Sequence, residues 1–226
     1  LIYRAMAELF DYVGYEQKGY RIIQDSQIPM TRGLGSSSAC IIGGMLAANI
    51  ISGRQLSYQE IIHLAAKMEG HPDNVGPALF GGFCVSLMDD DKTIIKSTKL
   101  KSHIKFAVII PDFFVATKKS RGVLPSKIDF KDAVFNVGHA SMFQAAMLTC
   151  DMKALEIGVK DKLHQQYRKS YVDGMEDIFE KTYHLGSHAT YLSGSGPTIL
   201  SILDGNYDEF KAGMDCLLYT SPSPRD

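Results

Sequence analysis

Twelve residues, Pro29-Met30-Thr31-Arg32-Gly33-Leu34-Gly35-Ser36-Ser37-Ser38-Ala39-Cys40, restrict what this chain can become more than any other stretch. A proline starts the loop, two glycines stand one residue apart and three serines follow. Ile41-Ile42-Gly43-Gly44-Met45-Leu46-Ala47-Ala48 then continues at helical spacing. Glycine lets the backbone take positive φ and lets a ligand approach with no Cβ in the way. A helix that begins here leaves its first N–H groups unpaired, and with the helix dipole they form an anion site. The serine hydroxyls add donors to phosphate and oxygen ligands for a hard cation such as Mg²⁺. The stretch reads as a phosphate cradle. It is not a Walker A loop, because no lysine follows Gly35, nor the dinucleotide fingerprint, because serines stand where a third glycine belongs. Taken in isolation, a glycine turn capping an ordinary buried helix remains the alternative.

The whole chain, 226 residues with 45% hydrophobic and 22% charged side chains and a net charge of −1, has room for one large domain or two small ones. That balance gives no reason to expect a nucleic-acid partner or an anionic membrane, and no apolar run approaches the ~20 residues of a membrane span. The four cysteines, Cys40, Cys84, Cys150 and Cys216, lie far apart, which fits a reduced, cytoplasmic protein without structural zinc. The chain opens directly on an amphipathic pattern, Ile2, Met6, Leu9 and Val13, without an initiator methionine. Residues 216–226 shift abruptly to Ser and Pro and look like one reading frame of a sequencing adapter. The expectation is an internal fragment with a non-native tail.

Taken in order, residues 1–13 read as a helix and Tyr20 to Ser26 as a short strand. A small-residue, buried helix runs from Ser37 to Ile51, and Ser57-Tyr58-Gln59-Glu60 is a capping box opening the next one. At its end, Glu69-Gly70-His71-Pro72-Asp73-Asn74-Val75-Gly76-Pro77 is a loop that presents Glu, His, Asp and Asn together. Glu69 suits Mg²⁺ and the others a polar substrate, against the reading of a plain surface turn. Phe83 to Leu87 is a strand with Asp89-Asp90-Asp91 at a hairpin tip. The basic stretch Ser97 to Lys105 marks a domain boundary, and Ile104 to Ile110 starts a second unit as a buried strand. A long helix spans Phe130 to Cys150, with Val134, Val137, Ser141, Phe143 and Met147 facing inward. Arg168 is suited to clamp a carboxylate bidentately, against the alternative of an exposed salt bridge. A helix from Gly174 to His184 precedes a second glycine-serine loop, Ser193-Gly194-Ser195-Gly196-Pro197, between two strand-like runs.

These loops together resemble the GHMP kinase superfamily. Pro29 to Ala39 matches its Pro-x-x-x-Gly-Leu-Gly-Ser-Ser-x-Ala phosphate loop, and Ser193 to Pro197 resembles its late glycine-rich motif. Within the superfamily, Arg32, Glu69 to Asn74, Pro77 to Phe83, Thr117 to Arg121, Val123 to Pro125 and Leu163 to Arg168 are similar to the homoserine kinase family. The resemblance implies a two-domain α+β fold. Residues 1–100 would form an ATP-binding domain like the second domain of ribosomal protein S5, with its first strands missing. Residues 101–215 would form a ferredoxin-like domain. It also implies ATP along Pro29, Met30, Thr31, Arg32, Gly33, Leu34, Gly35, Ser36, Ser37, Ser38 and Ala39, with Mg²⁺ on Ser36 or Ser37 and Glu69.

By the same resemblance, His71, Asp73, Asn74 and Thr117 are the catalytic candidates. His71, Asn74, Thr117, Arg121, Arg168, Gly194 and Gly196 would bind L-homoserine, with the two arginines on its carboxylate. Phosphoryl transfer depends chiefly on positioning and charge neutralisation, so no dedicated base is required, with His71 or Asp73 as the alternative proton acceptor. The product would be O-phosphohomoserine, a step of threonine biosynthesis. The partner is a small molecule, with room for a homodimer. A mevalonate- or sugar-type member of the superfamily and a non-catalytic nucleotide-binding relative are the competing readings. The family's opening Asn-Leu-Gly-Pro-Gly-Phe-Asp type motif is absent, so the fragment as written is expected to be inactive and unstable.

Overall fold

The computed structural model describes residues 1–53, 56–101, 103–113 and 122–220. The chain divides into two compact units, Leu1–Met30 with Leu34–Lys99, and Thr31–Gly33 with the chain from Leu100 onward. Each mixes helices and strands, so the fold is α+β.

In the first unit, α1 (Ile2–Val13) lays its apolar stripe on α2 (Ser36–Ile51), and Gly14 ends α1 in the left-handed conformation. The small-residue composition of α2 has a steric purpose. A Cβ on Gly44 would lie 2.6 Å from the Ile2 carbonyl oxygen, so α1 sits where only glycine leaves room. The expected capping box opens α3 (Tyr58–Glu69): Ser57 Oγ accepts from Glu60 N–H, and Glu60 Oε2 accepts from Ser57 N–H at 2.8 Å. Ser57 Oγ also donates to Glu60 Oε2 at 2.7 Å, and this bond first and the Ser57 N–H second hold the Glu60 carboxyl below its usual range. Met6, Leu9, Phe10, Ile41, Met45, Ile61, Ile62 and Val75 form one core, each worth roughly 1.5–3 kcal/mol of apolar burial. The short helix α4 (Val75–Phe80) leads into the antiparallel hairpin β1 (Phe83–Asp89) and β2 (Lys92–Thr98), with Asp89 paired to Lys92 around the acidic tip.

Residues 20–26, expected as a strand, have no regular secondary structure, and Ile22 and Ile23 are exposed. β-favouring residues make a strand only when a neighbour completes the ladder, and among the described residues none does.

The second unit is built on a three-stranded antiparallel sheet in the order β3 (Ile104–Ile109), β5 (Ile199–Asp204), β4 (Ala189–Leu192). Ahead of β4 come α5 (Phe130–Thr149), α6 (Met152–Gly158), α7 (Gln165–Arg168), a 3₁₀ turn (Lys169–Tyr171) and α8 (Met175–His184). The last helix is α9 (Tyr207–Thr220). The expected inward face of α5 is only partly right. Met147 is buried and Phe143 half-buried, but Val134, Val137 and Ser141 are exposed. The reason is local: α6 covers the C-terminal half of α5, where Gly158 meets the Phe143 backbone, and α5 is much the longer of the two.

Where α8 meets β4 and β5, four hydroxyls are buried together. Thr190 Oγ1 lies 2.7 Å from Thr182 Oγ1, 3.0 Å from Ser187 Oγ and 2.9 Å from Ser201 Oγ. Such a group is tolerable in a core because its members satisfy one another.

Candidate active site

The phosphate loop ends as α2 begins. Gly35, at φ 71°, is the residue before the first helical turn, and that turn carries Ser36, Ser37 and Ser38. Ser37 Oγ donates to Glu69 Oε2 at 3.0 Å, so the last residue of α3 is brought to the N-terminus of α2. This joins two sequence-predicted metal ligands 32 residues apart. Ser38 is buried, and its Oγ has no hydrogen-bond partner among the described residues. A buried orphan hydroxyl on an anion-binding helix turn fits a site built for a polar ligand.

The Gly70–Asn74 loop follows directly. His71 Nδ1 is bonded to Asp73 Oδ1, which also accepts from Asn74 N–H at 2.9 Å. Asn74 starts α4 and turns its side chain toward the phosphate loop, since a Cβ on Gly35 would meet its Oδ1 at 3.5 Å. Glu69 and Asn74 therefore both meet the start of α2, with His71 and Asp73 in the loop between them.

In the second unit, Gly33 lies against the late glycine loop. Ser193 Oγ donates to the Gly33 carbonyl at 2.7 Å, and a Cβ on Gly33 would stand 2.3 Å from the Ser193 carbonyl oxygen. Arg32 is bonded to the Phe113 carbonyl. The loop turns on itself through Gly196 N–H to Ser193 O at 2.9 Å, with Ser193 N–H closing on Thr198 O at 2.8 Å. Thr117 and Arg121 lie outside the described residues.

Arg168 is 8% exposed and is not a surface ion pair. Its Nη1 donates to the Gly194 carbonyl at 3.0 Å and to His164 Nδ1 at 3.0 Å. Asp161 underlies both: Oδ1 accepts from Asn136 Nδ2 at 2.8 Å and Leu163 N–H at 3.1 Å, and Oδ2 from the N–H groups of His164 and Gln165. Burial would raise the Asp161 carboxyl, but the bonds from Gln165, Asn136 and His164 outweigh it and hold the group below its usual range. Burial pushes the His164 imidazole down and the Arg168 charge adds to that, against the opposing pull of Asp161. Sequence reasoning singled out Arg168 but not His164, Asp161 or Asn136. Its overlooked signal is Asp161 standing just ahead of a helical Gln-Gln-Tyr-Arg turn, the place where a carboxylate collects unpaired N–H groups.

Residues 1–82 match the GHMP kinases N terminal domain. The chain is 45% identical over 214 residues to a homoserine kinase of Caldicellulosiruptor bescii, covering 95% of this chain and 70% of that protein. It is 44% identical over 218 residues to one of Caldicellulosiruptor saccharolyticus, covering 96% and 71%. The crystal structure of homoserine kinase from Cytophaga hutchinsonii superposes with a TM-score of 0.80 at 24% identity, over 94% of this chain and 71% of that one, and so shares the fold. The phosphate loop, the helix that follows it and the α+β architecture thus have a common origin: this chain belongs to the homoserine kinase family of the GHMP kinases.

Proposed function

We propose that the protein phosphorylates the side-chain hydroxyl of L-homoserine with ATP, giving O-phospho-L-homoserine and ADP, a cytoplasmic step of threonine biosynthesis. The observation that carries a phosphoryl-transfer reading is the Ser37–Glu69 bond at the first turn of α2. It sets oxygen donors beside a helix N-terminus that favours anions. The substrate is inferred from the named relatives, which do not favour a mevalonate- or sugar-type activity.

ATP is assigned to Pro29–Ala39, its phosphates on the N–H groups that open α2. Ser36 or Ser37 with Glu69 would hold Mg²⁺, which when bound supplies positive charge to the β- and γ-phosphates. Both are oxygen donors, as a hard cation requires. His71, Asn74 and Thr117 are assigned to homoserine, Arg121 and Arg168 to its carboxylate, and Gly194 and Gly196 to the loop beside Arg168. The homoserine oxygen forms a bond to the γ-phosphorus as the bond to the ADP oxygen breaks, and the hydroxyl proton leaves to a γ-phosphate oxygen or to water. No dedicated base is assigned, because phosphoryl transfer depends chiefly on positioning and charge neutralisation, with the bonded pair His71 and Asp73 holding the alternative proton acceptor. Residues 1–100 and 101–215 are proposed as the ATP-binding and C-terminal domains.

Among the described residues no helix is long and apolar enough to cross a membrane. The proposed partner is the small-molecule substrate, with neither nucleic acid nor membrane, and a homodimer as the assembly. The test is ADP release by the protein extended to the length of its relatives, offered L-homoserine, mevalonate and galactose in turn. Turnover with homoserine is expected, and turnover with another acceptor alone would overturn the reading.

A further inference from the structure

Arginine has only N–H donors, so the nitrogen that meets Arg168 Nη1 at 3.0 Å must be an acceptor. His164 Nδ1 therefore carries no proton, and the neutral ring holds its hydrogen on Nε2. That nitrogen lies 3.9 Å from Asp161 Oδ1. The two hydrogens of Arg168 Nη1 have two acceptors, His164 Nδ1 and the Gly194 carbonyl, which together fix both the place and the plane of the guanidinium.

We infer that His164 is a positioning residue: as the Nε2–H tautomer, seated by Asp161, it aims the Arg168 guanidinium at the anionic group of the substrate. Asp161 Oδ2 takes the His164 backbone N–H at 2.8 Å and so seats the residue, while the ring, whose Nε2 is beyond hydrogen-bond distance of the carboxylate, orients the guanidinium. Asp161 is itself immobilised by Asn136 on α5. Asn136 Oδ1 also takes the Lys162 N–H at 2.8 Å, and Gln165 Oε1 takes the Leu192 N–H of β4 at 2.9 Å. The short segment that carries His164 and Arg168 is thus pinned to a helix on one side and a strand on the other. A guanidinium held in this way loses little freedom when it pairs with a carboxylate, which favours binding rather than the chemical step. Arg168 needs such help because its own helix is a single turn and cannot by itself restrict a long side chain.

The inference rests on the homoserine kinase reading only for the identity of the anion. Its test therefore has two arms. In the protein extended to the length of its relatives, with no substrate added, imidazole ¹⁵N NMR is expected to show His164 with bare Nδ1 and protonated Nε2 near neutral pH. The Nδ1 resonance should move in Arg168→Met, and the ring should titrate at higher pH there. A protonated Nδ1, or a ring indifferent to Arg168→Met, would overturn the inference whether or not homoserine is the substrate. In the protein extended to the length of its relatives, His164→Leu is expected to raise KM for homoserine about tenfold or more, the size of one charge-assisted hydrogen bond, with kcat within about threefold. His164→Asn places a carbonyl oxygen where Nδ1 stood and is expected to recover most of the lost KM. Equal KM for His164→Leu and wild type, at unchanged melting temperature, would also overturn it. Absence of any homoserine turnover in the wild type would defeat the substrate assignment and leave the NMR arm to decide the positioning role.

Discussion

Replacing Gly33 with alanine tests how the phosphate loop is seated. The residue sits at φ +76°, and its new Cβ would stand 2.3 Å from the Ser193 carbonyl oxygen and 3.1 Å from that of Gly196. The first of these is more than 1 Å inside ordinary van der Waals separation, about 3.5 Å, and the obstacle is backbone rather than a side chain that can swing away. Two costs follow. The left-handed conformation penalises an L-residue by roughly 1–2 kcal/mol. Relief of the clash pulls Gly33 from Ser193, whose Oγ donates to the Gly33 carbonyl at 2.7 Å, and a lost hydrogen bond is worth about 0.5–1.5 kcal/mol. Gly186→Ala is the control within the same unit: φ is +89° and nothing lies within 4 Å of the new carbon, so only the conformational cost applies. Thermal unfolding should place Gly33→Ala below Gly186→Ala by about 2 °C or more. Nucleotide binding, followed by a fluorescent ATP analogue, should weaken in the first variant alone. Equal melting temperatures for the two variants would refute the close approach on which the argument depends.

Glu69→Gln keeps the shape of the side chain but removes its charge. It is expected to raise the Mg²⁺ needed for half-maximal turnover and to lower kcat/KM by about 100-fold or more, read by ADP release across a Mg²⁺ series. Because burial depresses the His164 imidazole below its ordinary value of 6.5, the unfolded chain binds that proton first. Stability should therefore be greatest above pH 6.5 and fall as pH drops below it, a slope that denaturant titrations should find reduced in His164→Asn. The Tyr191 phenol, pushed up to about 12 by burial, should stay protonated in ultraviolet titrations at pH 10.5. Since the unfolded tyrosine ionises near 10, its contribution to stability is present below that pH and lost as pH rises toward 12. Thr190→Val leaves three buried hydroxyls without their common partner and should cost about 2 kcal/mol, measured by urea unfolding.

What could be read from the sequence was what short-range chemistry decides. The Ser57–Glu60 box, the turn at Asp89–Asp91 and the start of α2 each depend on a few adjacent residues, and each stands where expected. The Glu69–Asn74 cluster gathers for the same reason. Residues 20–26 and the exposed half of α5 depend on what lies beside them, which neither propensity nor periodicity encodes. Their mis-assignment has that single cause. Arg168 stood out by residue type alone, but its burial and its link to His164 and Gly194 are tertiary facts. Val134 and Val137 carry the opposite lesson: helical spacing marked them as inward-facing, and the chain left them in solvent.

The buried hydroxyls around Thr190 have a direction as well as a location. Thr182 Oγ1 donates to the Phe179 carbonyl and Ser187 Oγ to the Ala189 carbonyl, so each uses its only hydrogen outside the cluster. Both then face Thr190 as acceptors, while Ser201 is left to donate to it. Thr190 has one proton for two claimants. The hub between α8 and the sheet is therefore a two-way choice of hydroxyl rotor rather than a single frozen pattern, and it keeps some orientational entropy inside a buried group.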